Sequence, residues 1–308
     1  MTNKKKMFFA LAGIMAVLAG LGLVVVSVAA PACEGDSNWF IKRQIVYLLL
    51  GVAGTIGAAC VPWKVWLRAA PYLFAAVLFC LCLGFTRRTD VFTLGVPIIM
   101  LFVAWLKSKL KIGAMPLLAT FYIGLVGFLA VTVLANPNRR ERLKVWMGLV
   151  EEKAGSSVKP NWRATEQDQV CQAFSTSKWL GRSAGQNLPS GLTRGMLATG
   201  ARSFGKIFPL AIVLLFAVAG GLAAWIGCRM NEPAKRLYSL QWAAWLCAPA
   251  LYGLAMVYKL VPFVGPGVPL VSFGFATTLT DGIGLGILWA TLAEEHGGKD
   301  DSCKDSKV

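Results

Sequence analysis

The chain has 308 residues, 56% of them hydrophobic and only 15% charged, and its 31 Lys and Arg outweigh 15 Asp and Glu to give a net charge of +16. Soluble domains run nearer half apolar and about a quarter charged, so this balance excludes an ordinary soluble enzyme and favours an integral membrane protein. The single histidine, His296, excludes a histidine-based metal centre, and no basic run sits in a foldable soluble stretch where nucleic acid could bind.

A bilayer core about 30 Å thick needs roughly 20 apolar residues in a helix. Stretches of that kind lie at roughly 7–30, 43–61, 69–86, 91–106, 112–135, 207–227, 238–258 and 270–292. They predict an all-α integral membrane protein with about eight transmembrane helices and one large extracytoplasmic loop, about 136–206, before the last three. The fourth stretch is short and contains Pro97. The first follows Lys4, Lys5 and Lys6 as a secretory signal would, but its apolar run is too long and Pro31 spoils VAAPAC as a cleavage site. It reads as a retained span. Residues 1–293 then form one membrane domain, and 294–308 a charged cytoplasmic tail without fixed structure.

Lys and Arg in short connections set orientation. Lys4–Lys6, Lys64 with Arg68, Lys107, Lys109 and Lys111, and Arg229 with Lys235 and Arg236 fall on alternate connections. They predict a multi-pass membrane protein with both termini cytoplasmic. The basic outer loop does not contradict this, because long loops translocate largely regardless of charge. Cys60, Cys80, Cys82, Cys228 and Cys247 lie in or beside apolar runs, where cysteine behaves as a small hydrophobe. Cys33 and Cys171 are the pair that an oxidising exterior could join.

The outer loop begins with NPNRRERLKVW, a short surface helix with solvated charges, and ends at LPSGLTRGMLATGARSFGK. Arg139, Arg140, Arg142, Arg182, Arg194 and Arg202 would face the outer side, where arginine suits either phosphate contact or plain solvation. The loop's acids, Glu151, Glu152, Glu166 and Asp168, read first as solvated charge. Ser175 to Lys178 fits S-x-x-K, but no K-T-G or soluble acylase domain accompanies it. Beyond the loop, LVPFVGPGVPLVSFGFATTLTDGIGLGIL carries Pro262, Pro266 and Pro269 with Gly265 and Gly267, which forbid a regular helix. Irregular backbone at that depth needs protein or a water-filled cavity around it. Asp281 lies in the following apolar run and so faces a partner or a polar cavity.

Leu260, Pro262, Gly265, Pro269, Ser272 and Gly274 match L-x-P-x-x-G-x-x-x-P-x-x-S-x-G at every spacing. This ending resembles that of the SEDS family of shape, elongation, division and sporulation proteins, although the family's S-Y-G-G-S-S is SFGFAT here. Phe40, Lys42, Arg43 and Gln44 in WFIKRQIVYLLLG resemble its F-x-K-R-Q entry to the second helix. The family's usual pattern has two further spans before the large outer loop. That loop ends in a pattern close to L-P-x-x-x-T-D-F and continues through E-E-x-G. Leu188, Pro189, Thr193 and Gly205 match without a gap, but Arg194 replaces the aspartate, and Arg202 and Ser203 the paired glutamates.

The resemblance implies peptidoglycan synthesis, with lipid II as substrate and that aspartate as the residue essential for polymerising it. It also implies a single-span transpeptidase and division or elongation proteins as partners. No cofactor is implied beyond a divalent cation if the chain is catalytic. Arginine carries only donors and cannot act as a base, so a catalytic chain would need another acid, with Glu166 and Asp168 as candidates. Three readings stay open: a lipid II-polymerising glycosyltransferase, a non-catalytic scaffold for a transpeptidase, and a transporter of lipid-linked precursor through Asp281 and the broken hairpin.

Overall fold

The computed structural model describes residues 3–32, 37–82, 88–110, 137–147, 162–183, 188, 191–263 and 267–304, and among these the regular elements are helices. In chain order, α1 (Asn3–Ala29), α2 (Ser37–Cys60), α3 (Trp63–Cys82) and α4 (Arg88–Lys109) precede the outer loop. Within the loop lie α5 (Pro137–Trp146), α6 (Trp162–Thr176) and α7 (Met196–Phe204). The chain closes with α8 (Ile207–Cys228), α9 (Pro233–Val257) and α10 (Phe275–Lys304).

Six of these, α1 to α3 and α8 to α10, are long and apolar enough to cross a membrane. The predicted fourth span is α4, a full-length helix of lower hydropathy that buries Val96, Met100, Leu101 and Ala104 and packs against α3, α9 and α10. A helix enclosed by other helices need not be as apolar as one facing lipid. The predicted fifth span, 112–135, falls outside the described residues. Pro71, Pro97 and Pro249 sit inside helices, as membrane helices tolerate when neighbours satisfy the freed backbone groups.

The most extensive helix contact is α2 against α10. Its basis is the absence of side chains: a Cβ on Gly282 would collide with the Gly51 carbonyl, and one on Gly286 with that of Thr55. Small residues four apart let membrane helices approach to backbone contact, where dispersion replaces the hydrophobic drive that lipid does not supply. The next most extensive pair is α8 with α9, and α1 packs on α8.

The bundle has two chemically different ends. At one, Lys235 sits between Glu232 (3.2 Å) and Glu294 (3.8 Å), Lys64 reaches Glu294 (3.3 Å), and Trp63 Nε1 donates to Glu232 (3.3 Å). Lys64 and Lys235 therefore share an end, as their alternation in sequence predicts. α5 to α7 and the α9–α10 connection occupy the other. Past Glu294, α10 continues as helix to Lys304, so the predicted boundary at 293 is not a helix end. A helix leaving the bilayer can exchange apolar for charged residues without losing its backbone hydrogen bonds.

Candidate functional site

At the loop-bearing end, three motif segments far apart in sequence come together. The Leu192 carbonyl, in the turn before α7, accepts the Phe273 N–H at 2.8 Å. Gln44 Nε2, on α2, donates to the Ser272 carbonyl at 3.5 Å. Phe273 is enclosed by Phe40 and Tyr47, with ring centroids 5.6 and 5.5 Å away. Pro269 and Ser272 are buried, and the Ser272 N–H closes the turn onto Val268 O at 2.8 Å. The connection between α9 and α10 is thus irregular where described; Phe263 and the stretch from Val268 to Ser272 are buried in protein, while Lys259 and Leu260 are exposed. Gly265 and Pro189 lie outside the described residues.

Arg194 follows the exposed Thr193 on this turn, half-buried and within electrostatic range of Tyr252. The Tyr252 hydroxyl donates to the Pro262 carbonyl at 2.8 Å. On the other flank of the same loop, Arg142 from α5 donates through Nη1 to Phe263 O and through Nη2 to Glu166 Oε2, both at 2.9 Å. Its guanidinium also faces the Phe263 ring at 5.6 Å. Gln167 Nε2 reaches Val261 O (3.4 Å), and Trp146 Nε1 reaches Lys259 O (2.9 Å). Asp168 pairs with Lys259, and that hydrogen bond holds the Lys259 ammonium above its ordinary pKa. α5 and α6 therefore clamp the exit of α9.

Two sequence expectations need correction here. The sequence leaves Arg142 between phosphate contact and solvation and reads Glu166 first as solvated charge; each side chain is only 11% exposed, because they bond to one another. Periodicity cannot show this, since α5 is polar all round and its partners lie elsewhere in sequence. Cys171 is a free thiol bonded to Met256 O at 3.6 Å, so it is not part of a disulfide; burial pushes it above the usual thiol range, partly offset by Lys259. Cys33 lies outside the described residues.

The remaining candidates are scattered. Arg140 and Arg182 are exposed, and Arg202 is half-buried in the last turn of α7. The Arg139 side chain, Glu151 and Glu152 lie outside the described residues. Asp281 is fully buried between α9 and α10, where Oδ1 accepts Trp245 Nε1 at 3.2 Å. It is six residues into α10, roughly 9 Å from the helix start at 1.5 Å per residue, and is not grouped with the basic residues. Sequence reasoning missed Tyr252, Phe263, Gln167 and Lys259, and no signal marks them, since neighbours such as Glu166, Gln167 and Asp168 point in different directions around a helix. Among the described residues no three His, Cys, Asp or Glu side chains gather. Of the described loop acids, Glu166 is tied to Arg142 and Asp168 to Lys259.

Known proteins share this fold. No family model matches the chain. It is 24% identical over 355 aligned positions to a probable peptidoglycan glycosyltransferase FtsW from Halorhodospira halophila, covering 89% of this chain and 88% of the relative. A second FtsW, from Halomonas elongata, is 28% identical over 181 positions, covering 54% and 43%. Among solved structures, a chain of a peptidoglycan synthase complex coordinating polymerization and crosslinking superposes with TM-score 0.66 at 16% identity, covering 93% of this chain and 97% of that one. Thermus thermophilus RodA, as an Asp-to-Ala mutant, gives 0.63 at 17% identity, covering 92% and 96%. The fold and its assembled motifs define a polytopic helical membrane protein of the RodA type. In sequence, to the curated FtsW relatives, and in fold, to RodA, the chain is similar to proteins of the SEDS family.

Proposed function

We propose that this protein acts in peptidoglycan synthesis in the bacterial inner membrane, in division or elongation, as a non-catalytic SEDS partner of a single-span transpeptidase. The curated relatives named for peptidoglycan glycosyl transfer support the pathway, and the synthase complex among the structural relatives supports a transpeptidase partner. One observation carries the loss of catalysis. The turn at the family's aspartate position is seated on the hairpin through Leu192 and Phe273, and that position, two residues after Leu192, is Arg194. An arginine there can hold a pyrophosphate through its paired N–H groups, but it cannot take a proton from an attacking sugar hydroxyl. Glu166 and Asp168 do not replace it as free bases, being engaged with Arg142 and Lys259. Arg142, the exposed Arg140 and half-buried Arg202 remain candidates for contact with a lipid-linked pyrophosphate only in part, since Arg142 is already held by the loop. The transport reading rests on Asp281, which is bonded to Trp245 inside the bundle and apart from these arginines. The N-terminus would be cytoplasmic, with the end bearing Lys64 and Lys235, and α5 to α7 outside.

Lipid II polymerisation by the purified protein, alone and with a co-expressed transpeptidase, tests this. The native chain should be inactive, and Arg194→Asp should restore glycan strands. Polymerisation by the native chain, lost on Glu166→Gln or Asp168→Asn, would overturn the reading and relocate the base.

A further inference from the structure

The turn between α6 and α7 puts a bulky apolar pair in the open. Trp179 is 65% exposed and Leu180 is 69% exposed. Neither is left there by a loose backbone. Lys206 N–H bonds to Lys178 O at 2.9 Å, Ile207 N–H to Trp179 O at 3.3 Å, Gly181 N–H to Phe204 O at 3.3 Å, and Ser183 N–H to Arg202 O at 2.8 Å. The turn is thereby laced to the residues that enter α8. Gly205 makes this possible: its φ is +98°, and a Cβ there would collide with the Trp179 carbonyl. Lys206 adds a second tie, donating to Ser175 O at 2.9 Å with its ammonium 5.7 Å from the Trp179 ring.

Because Ile207 is the first residue of a membrane span, a turn bonded to it sits at the membrane boundary. Below it, Ile207, Leu210, Leu214 and Val218 are exposed at helical spacing, marking the lipid-facing stripe of α8. Trp179 and Leu180 cap that stripe, and the exposed Lys178 and Arg182 flank them. The nearest described carboxylate on α6, Asp168, is already paired with Lys259.

We infer that the 178–182 turn is an outer-leaflet lipid-binding element, with Trp179 and Leu180 in the acyl boundary and Lys178 and Arg182 on the phosphate of an anionic phospholipid. Aromatic side chains concentrate at that depth because one end of the ring is apolar and the other wet. Two cations with no free carboxylate beside them among the described residues add attraction for a negative headgroup. The inference is independent of whether the chain polymerises lipid II.

The test uses the full chain in nanodiscs of mixed phosphatidylglycerol, cardiolipin and phosphatidylcholine. Lys178→Ala with Arg182→Ala should lower the anionic lipid retained in native mass spectrometry several-fold and leave phosphatidylcholine unchanged. In parallel, a photoreactive benzoylphenylalanine at position 180, otherwise native, should crosslink to phospholipid in whole membranes. Unchanged anionic lipid retention in the double variant would overturn the proposal. So would a polypeptide adduct at position 180, which would assign the turn to a protein partner, or an absence of any lipid adduct.

Discussion

Arg142 and Glu166 form an ion pair at 2.9 Å with each side chain 11% exposed, and the same guanidinium holds the Phe263 carbonyl. The pair ties two loop helices to the proline-rich exit of α9. Removing one member of a shielded pair leaves the other charge without compensation, which costs on the order of 3 kcal/mol. Arg142→Ala and Glu166→Gln should each lower the thermal midpoint in detergent by several degrees, and the double variant should cost less than the sum. Arg142→Lys should recover only part, because an ammonium cannot serve carboxylate and carbonyl with a planar fork. Strict additivity of the two single variants would show that the pair does not couple.

Gly205→Ala should be as damaging as a core substitution although it adds one methyl group. The position combines φ of +98° with direct approach to the Trp179 backbone. An L-residue held at such an angle costs roughly 1–3 kcal/mol, and here the new carbon must also displace a carbonyl. Limited proteolysis would report the result as new cleavage within 178–183, while Gly221→Ala in α8, where a Cβ meets open space, should leave the pattern unchanged.

The Lys259–Asp168 contact predicts an alkaline dependence. Lys259 has its pKa raised in the folded state, first by the hydrogen bond from its ammonium to Asp168. Its contribution is therefore fully present below the unfolded lysine value of about 10.4 and is lost as pH rises through the higher folded value. Both side chains are more than half exposed, so the effect is small and screened by salt. Thermal midpoints of the native chain and Asp168→Asn should converge above that pH and be separated below it. A gap that persists into strong alkali would mean that Asp168 acts through something other than this lysine.

The architecture was legible where one physical signal dominates. Long uncharged runs marked α1, α2, α3, α8, α9 and α10, because hydrocarbon admits little else. The hairpin was legible from Pro262, Pro266 and Pro269 clustered with Gly265 and Gly267, a density that no regular helix accommodates, whereas the single Pro71, Pro97 and Pro249 each lie inside a helix. Its partner was not: nothing in the residues around Leu192 says that its carbonyl meets the Phe273 N–H, since backbone hydrogen bonds leave no trace in side-chain identity. The clamp was illegible for a related reason. Arg142, Glu166 and Asp168 have the composition of a solvated surface, and only tertiary placement separates the buried pair from the exposed one. Glycines were ambiguous too. Gly282 and Gly286 read as small residues in a helix until Gly51 and Thr55 are found against them.

Asp281 offers a case in which structure, rather than charge, should decide the outcome. The residue has no exposed surface, Oδ1 accepts the Trp245 indole N–H at 3.2 Å, and Oδ2 has no hydrogen-bond partner among the described residues. If its role is to satisfy Trp245, an uncharged acceptor of the same shape will serve, and Asp281→Asn should shift stability by less than about 1 kcal/mol. Asp281→Leu keeps the branched shape but strands a buried donor, at a cost of about 1–3 kcal/mol. Pairing it with Trp245→Phe removes donor and acceptor together, a change that can be nearly neutral. The double variant should therefore unfold in a denaturing detergent titration closer to the native midpoint than Asp281→Leu does. If Asp281→Asn instead keeps full stability yet abolishes cell-wall function in a complementation assay, the carboxyl group itself is needed and a packing role is insufficient.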